Sequence, residues 1–181
     1  MKLKILLLII FTLSLEVAGA QSSVKDIKIL PSGFRSIHLG MGVDEAKKEL
    51  SADPFFRYRG DPDVSLLPEP EQILIRSKGN SYIEYGYFQF YKGRLFSIIL
   101  EINRDKMDYY SIYSTLSGKY GNPDSLSPQQ AVWKTDNIRL SIEKPLTVKY
   151  LDEKTFKNLK EKGKTGEKIE NISRKDFLDL F

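Results

Sequence analysis

The chain of 181 residues contains no cysteine and a single histidine, His38. Without cysteine there is no disulfide framework, no thiol nucleophile, no cysteine-bound zinc and no N-terminal cysteine to carry a lipid. With one imidazole, a triad that uses histidine as its base has a single opportunity, and a histidine-rich metal site is excluded. Gly-rich phosphate loops, nucleophile elbows and helical zinc motifs are all missing, and Gly40-x-Gly42 is too short to count as one. Charge of one sign is lacking too. The 28 Lys+Arg face 24 Asp+Glu, a formal net charge of +4, which neither demands a nucleic-acid partner nor supports long-range steering. No apolar run reaches the about 20 residues that a membrane-spanning helix needs.

What is present describes a folded domain. Hydrophobic residues at 41% and aromatics at 12% are too abundant for a disordered chain, and the length suits one domain. The first residues set the expected compartment. Lys2 and Lys4 precede an apolar stretch from Ile5 to Leu15, and Ala18-Gly19-Ala20 supplies small residues at a cleavage point. That order is expected to make 1–20 a secretory signal, placing the mature chain in the periplasm or at the outer-membrane periphery. Residues 21–36 then read as an N-terminal loop segment, 37–152 as an α+β domain, and 153–181 as a basic C-terminal helical tail.

Within 37–152 the patterns alternate between helix and strand. Val43, Ala46 and Leu50 recur at helical spacing behind Gly42, with Asp44 and Glu45 in the first turn and Asp53-Pro54 as the stop. Residues 55–71 carry several prolines but also Phe55, Phe56 and Tyr58, so an ordered flap packed on the body is expected. Three strands follow, at Gln72 to Ser77, Tyr82 to Tyr91 and Arg94 to Asn103, the last two joined by a tight turn at Lys92-Gly93. In the third, Phe96, Ile98, Leu100 and Ile102 are expected on one face and Ser97 and Glu101 on the other. A helix capped by Asp105 or Asn103 should bury Tyr109, Ile112, Tyr113, Leu116 and Tyr120, ending at Gly121-x-Pro123. Three more strands carry Trp133, then Ile138, Leu140 and Ile142, then Leu146, Val148 and Tyr150. The expected class is α+β: an antiparallel sheet packed with helices, in which a unit of one helix and three strands occurs twice.

Candidate chemistry is sparse. His38 lies between Ile37 and Leu39 with no accompanying motif, so a hydrogen-bonded or exposed role is expected. Asp61, Asp63, Glu69 and Glu71 form the densest acidic group, but their spacing does not match a calcium loop, and Asp-Pro and Glu-Pro pairs are ordinary turn chemistry. No catalytic residue, metal ligand or cofactor is therefore assigned. The strand aromatics say more. Alternation puts Tyr85, Tyr87 and Tyr91 on one face and Tyr82, Phe88 and Phe90 on the other. Tyrosines facing outward would be candidate partner-binding residues, since they bury large area at low entropic cost. The tail from 153 to 175 is rich in lysine diluted by glutamate, which fits a solvated helix with at most weak contact to a membrane surface. The closing Phe177-Leu-Asp-Leu-Phe181 is expected to dock as a terminal segment.

Three stretches resemble known proteins. Leu39-Gly-Met41-Gly-Val-Asp-Glu-Ala46-Lys-Lys-Glu-Leu50 resembles the helix entry of the BamE (SmpA/OmlA) group and Phe88-x-Phe90-Tyr-Lys-Gly93-Arg-Leu95 the hairpin where their sheet turns, while Leu116-x-x-Lys119-Tyr120-Gly121-x-Pro123 with Trp133 resembles uncharacterised exported proteins with such sheets. Members of the BamE group are small bacterial envelope proteins that share a fold with the β-lactamase inhibitory protein. The resemblance implies that fold and transfers no functional residue; the leader, the aromatic strand and the lack of a catalytic constellation lead to the expectation of a non-catalytic envelope protein that binds another protein, in outer-membrane maintenance. Two other classes stay open from the residues alone: a small-ligand carrier with a cavity under the 55–71 flap, and a calcium-assisted hydrolase using the carboxylates of 61–71.

Overall fold

A computed structural model of the chain describes residues 28–66 and 71–163. A small hairpin of β1 (Gly33–Phe34) and β2 (Ile37–His38) leads into helix α1 (Val43–Ala52) and a 3-10 turn at Asp61–Asp63. A meander follows, made of β3 (Val64–Leu66), β4 (Gln72–Lys78), β5 (Ile83–Tyr91) and β6 (Arg94–Ile102). Helix α2 (Tyr109–Tyr120) opens a second meander of β7 (Ser125–Leu126), β8 (Gln130–Lys134), β9 (Ile138–Glu143) and β10 (Thr147–Asp152). Residues 153–163 form a third helix, α3.

The class is α+β, and the sheet dominates it. Eight antiparallel strands lie in the order β3-β4-β5-β6-β10-β9-β8-β7, so the two meanders meet where β6 pairs with β10. The repeated unit is therefore one helix and four strands, where the sequence pattern leads one to expect three. The additional strands, β3 and β7, are three and two residues long and form the two edges. Strands that short carry too few residues to show a period of two.

Alternation sorts the side chains onto two faces. The inner face buries Ile75, Phe88, Phe90, Ile98, Leu100, Trp133, Leu140, Ile142, Val148 and Tyr150. Helix α1 adds Ala46 and Leu50 to this core, and α2 lays Tyr109, Ile112, Tyr113, Leu116 and Tyr120 against it, as their spacing predicts. Each large apolar side chain so buried contributes about 1.5–3 kcal/mol before the entropic cost of ordering it. Trp133 is fully buried and its indole N–H donates to the carbonyl of Gly121 at 2.8 Å, which fastens the end of α2 to β8.

Four expectations change. The cap of α2 is Asp108, whose carboxylate accepts the Ser111 N–H at 2.9 Å, because 104–106 form a turn and the helix begins only at Tyr109. Asn103 instead accepts the Asp105 N–H within that turn. Phe96 does not share the face of Ile98. The β5–β6 register passes from Phe90↔Leu95 to Gln89↔Ser97, so Phe96 is the additional residue of a bulge and joins Ser97 on the outer face. Tyr82 lies in the turn before β5, 46% exposed, and not with Phe88 and Phe90. Finally, 28–36 is not a separate loop: Leu30 is buried in the core, Phe34 packs on it, and Lys28 pairs with Asp124 at 2.7 Å.

Candidate functional site: the outer face of the sheet

The outer face is built by the residues that alternate with the apolar core positions, and Phe96, Ser97 and Ser141 on it are themselves buried. Across the centre run Arg76 of β4, Tyr87 of β5, Ile99 of β6, Lys149 of β10 and Ser141 of β9, each opposite the next in register. One row away lie Lys78, Tyr85, Glu101 and Thr147. Tyr85, Tyr87 and Tyr91 thus do share one face, and all three are half-buried. Their surroundings differ. The rings of Tyr85 and Tyr87 lie 6.3 Å apart, and the Arg76 guanidinium sits 4.2 Å from the Tyr85 centroid and 5.8 Å from that of Tyr87. The Tyr87 hydroxyl donates to Glu101 at 3.3 Å. Tyr91 instead receives Lys162 of α3, whose ammonium donates to its hydroxyl at 2.7 Å.

Helix α3 covers one end of this face, so 153–163 is a packed element and not a wholly solvated tail. Lys154, Lys157 and Lys160 are exposed, whereas Lys162 reaches Tyr91 and Phe156 and Leu159 turn toward the sheet. Asp152 caps it by accepting the Thr155 N–H at 2.6 Å. The next residue, Glu153, is buried and accepts from Arg139 at 2.9 Å, with Lys134 at 3.4 Å. Burial alone would push the Glu153 carboxyl up. The hydrogen bond from Arg139 and the charges of Arg139 and Lys134 outweigh that and hold it below the usual glutamate range. Between α3 and the sheet lies a cavity of about 350 Å³ with Phe96, Ile99, Leu151, Phe156 and Leu159 among its walls. No wall of this cavity comes from 55–66, which packs instead through Phe56 on the inner side.

The remaining candidates are not brought together. His38 is exposed and its Nδ1 lies 3.3 Å from the Ser32 hydroxyl, its side-chain partner among the described residues. Asp63 is buried against Arg59 at 2.5 Å, Asp61 pairs with Lys47 at 3.7 Å, and Glu71 pairs with Lys92 at 3.7 Å. Glu69 lies outside the described residues, as do the leader 1–20 and the closing segment 177–181. Among the described residues, no three acidic or histidine side chains are grouped as a metal site would need, and no helix is long and apolar enough to cross a membrane. Sequence reasoning passed over Arg76 and Lys78. Their alternation with the buried Ile75 and Ser77 already assigns them to the tyrosine face.

The TP0088 domain model matches residues 32–162, from just before β1 into α3. The chain belongs to the TP0088 domain family. The match takes in both helix-and-meander halves, and the curated proteins and solved structures compared with the chain give no match. The TP0088 domain also takes in β1 and α3, two elements that the boundaries 37 and 152 leave outside. Both pack against the sheet, so the matched extent and the packing agree.

Proposed function

We propose that the chain is a non-catalytic protein-binding module, exported to the cell envelope, that docks its partner on the outer face of the sheet. One observation carries this reading. Tyr85 and Tyr87, with Arg76 stacked on them, form a half-buried aromatic and cationic patch beside the end that α3 covers. Tyrosine and arginine dominate the energetics of protein interfaces, and this pair stands on a strand with neighbours on both sides, which fixes their positions. Export rests on the leader at 1–20, and a role in outer-membrane maintenance rests on the BamE-like stretches. The test is recovery of a partner from envelope extracts by the full chain and by Tyr85→Ala, Tyr87→Ala and Tyr91→Ala. Recovery should fall for the first two and least for the third, whose ring α3 already engages. Undiminished recovery by all three variants removes the surface.

A second reading draws on the cavity under α3. Its volume of about 350 Å³ is within the range of small-ligand pockets, roughly 300–1,000 Å³, and its walls are largely apolar. A carrier would hold an amphipathic ligand there, and native mass spectrometry of protein purified without denaturant would show the added mass. A bare mass counts against it.

A further inference from the structure

We propose that a second cleft, between the 57–65 segment and the β4–β5 edge of the outer face, binds a phosphoryl group. The cleft has a volume of about 480 Å³ and is lined by Arg57, Arg59, Asp63, Arg76, Lys78 and Tyr85. Its two ends are far apart in sequence but locked together. The Arg57 N–H donates to the Lys78 carbonyl at 2.8 Å, and Phe56 bridges to Gly79.

The charges in this cleft are unequal in what they can offer. Asp63 is spent on Arg59: it accepts the Arg59 backbone N–H at 3.0 Å and the guanidinium at 2.9 and 2.5 Å. That pair is neutral. Arg57, Arg76 and Lys78 hold no ion pair among the described residues, yet both guanidinium groups are oriented. Arg57 donates to the Asn80 side-chain carbonyl at 3.2 Å, and Arg76 rests 4.2 Å over the Tyr85 ring. Neutral partners fix direction without cancelling charge, which is the arrangement that pre-organises an anion site.

Three uncompensated cations around one cleft suit a dianion better than a single carboxylate, and guanidinium forks match the paired oxygens of a phosphoryl group. An adjoining cleft of about 560 Å³ shares Arg57, Lys78 and Tyr85 and is lined further by Asn80, Asn103 and the opposed charges of Glu84 and Lys106, which leaves room for the polar body of an ester. The phosphoryl group could belong to a diffusible ester or to a lipid headgroup, since all three cations are exposed. The site shares Arg76 and Tyr85 with the docking patch but rests on its own cations, Arg57 and Lys78 among them. Arg57 lies off the sheet, so its replacement leaves the tyrosine patch intact.

The test uses the full chain with two probes in 150 mM salt, a concentration that screens diffuse surface charge over about 8 Å. Inorganic pyrophosphate is titrated by calorimetry, and vesicles of phosphatidylglycerol in phosphatidylcholine are tested by co-sedimentation. Arg57→Gln, Arg76→Gln and Lys78→Gln are compared with Lys119→Gln, an exposed cation on α2 far along the chain. Pyrophosphate binding that each cleft variant weakens roughly tenfold or more, with Lys119→Gln unchanged, establishes a site for diffusible phosphoryl ligands. Vesicle binding with that same dependence and no pyrophosphate binding assigns the site to a headgroup. Binding of neither probe, or equal weakening by Lys119→Gln, overturns the proposal.

Discussion

Replacing Glu153 by glutamine should loosen α3 from the sheet and do so in a pH-dependent way. The side chain of Glu153 is 3% exposed and a single carboxylate oxygen takes both Arg139 and Lys134, at 2.9 and 3.4 Å. Glutamine keeps the shape and one acceptor but removes the charge. A hydrogen bond to a charged group contributes about 1.5–3 kcal/mol to stability. Arg139 and Lys134 are 31% and 46% exposed, so solvent screening lowers the loss to about 1–2 kcal/mol. The pH dependence follows from the sign of the shift. A carboxyl held below its unfolded value stabilises the fold above that value, and the contribution fades as pH falls through the folded value. Urea unfolding followed by circular dichroism should therefore show Glu153→Gln about 1–2 kcal/mol less stable at pH 7, with the gap narrowing below the usual glutamate range near pH 4. Amide exchange should place the loss in 153–163. Equal stability at pH 7, or a gap that widens as acid is added, refutes the reasoning.

Other expected outcomes concern the inner face. Gly86 has no room for a methyl group: a Cβ there would lie 2.7 Å from Phe56 and 2.9 Å from Phe88, so Gly86→Ala should cost about 1–3 kcal/mol by overpacking. The opposite sign in urea unfolding would follow if only unfolded-chain entropy mattered. Trp133→Phe removes the indole donor from the Gly121 carbonyl and leaves a void, a loss of about 2–3 kcal/mol, and an unchanged midpoint contradicts the proposed fastening of α2 to β8. Burial pushes the Tyr150 hydroxyl up to about 12. Its neutral form favours the fold, so stability should fall as pH rises from the usual tyrosine value through about 12, and ultraviolet titration should show a late-ionising tyrosine that Tyr150→Phe removes.

Much of this molecule is legible in its sequence because its longer strands alternate between an apolar inner face and a more polar outer one. Ile98 and Leu100 alternate with Ile99 and Glu101, Leu140 and Ile142 with Arg139 and Ser141, and the tyrosine face of β5 follows by the same period. The stripe of α2 is equally plain. What failed to show has a physical reason in each case. The edge strands β3 and β7 are shorter than the period needs. A one-residue bulge reverses Phe96, and nothing in the local composition marks it. Tail composition hides Glu153, Phe156 and Leu159 among exposed lysines, so only contact with Arg139 and the sheet reveals α3 as a cover. Arg57 and Lys78 lie on segments distant in sequence, and the hydrogen bond from the Arg57 N–H to the Lys78 carbonyl brings them to one cleft.

The central claim is that partners meet the outer face of the sheet, and the lack of native cysteine makes it directly testable. A single cysteine is installed by Thr147→Cys, on that face but outside the tyrosine patch, and separately by Tyr110→Cys on α2 and Leu126→Cys on the β7 edge, the latter two positions 73% and 63% exposed. Each variant carries a short thiol-linked photocrosslinker in the full chain, and adducts from intact envelopes are identified by mass. The account predicts one defined polypeptide captured from position 147 and none from 110 or 126. Capture from 110 or 126, with nothing at 147, would contradict it.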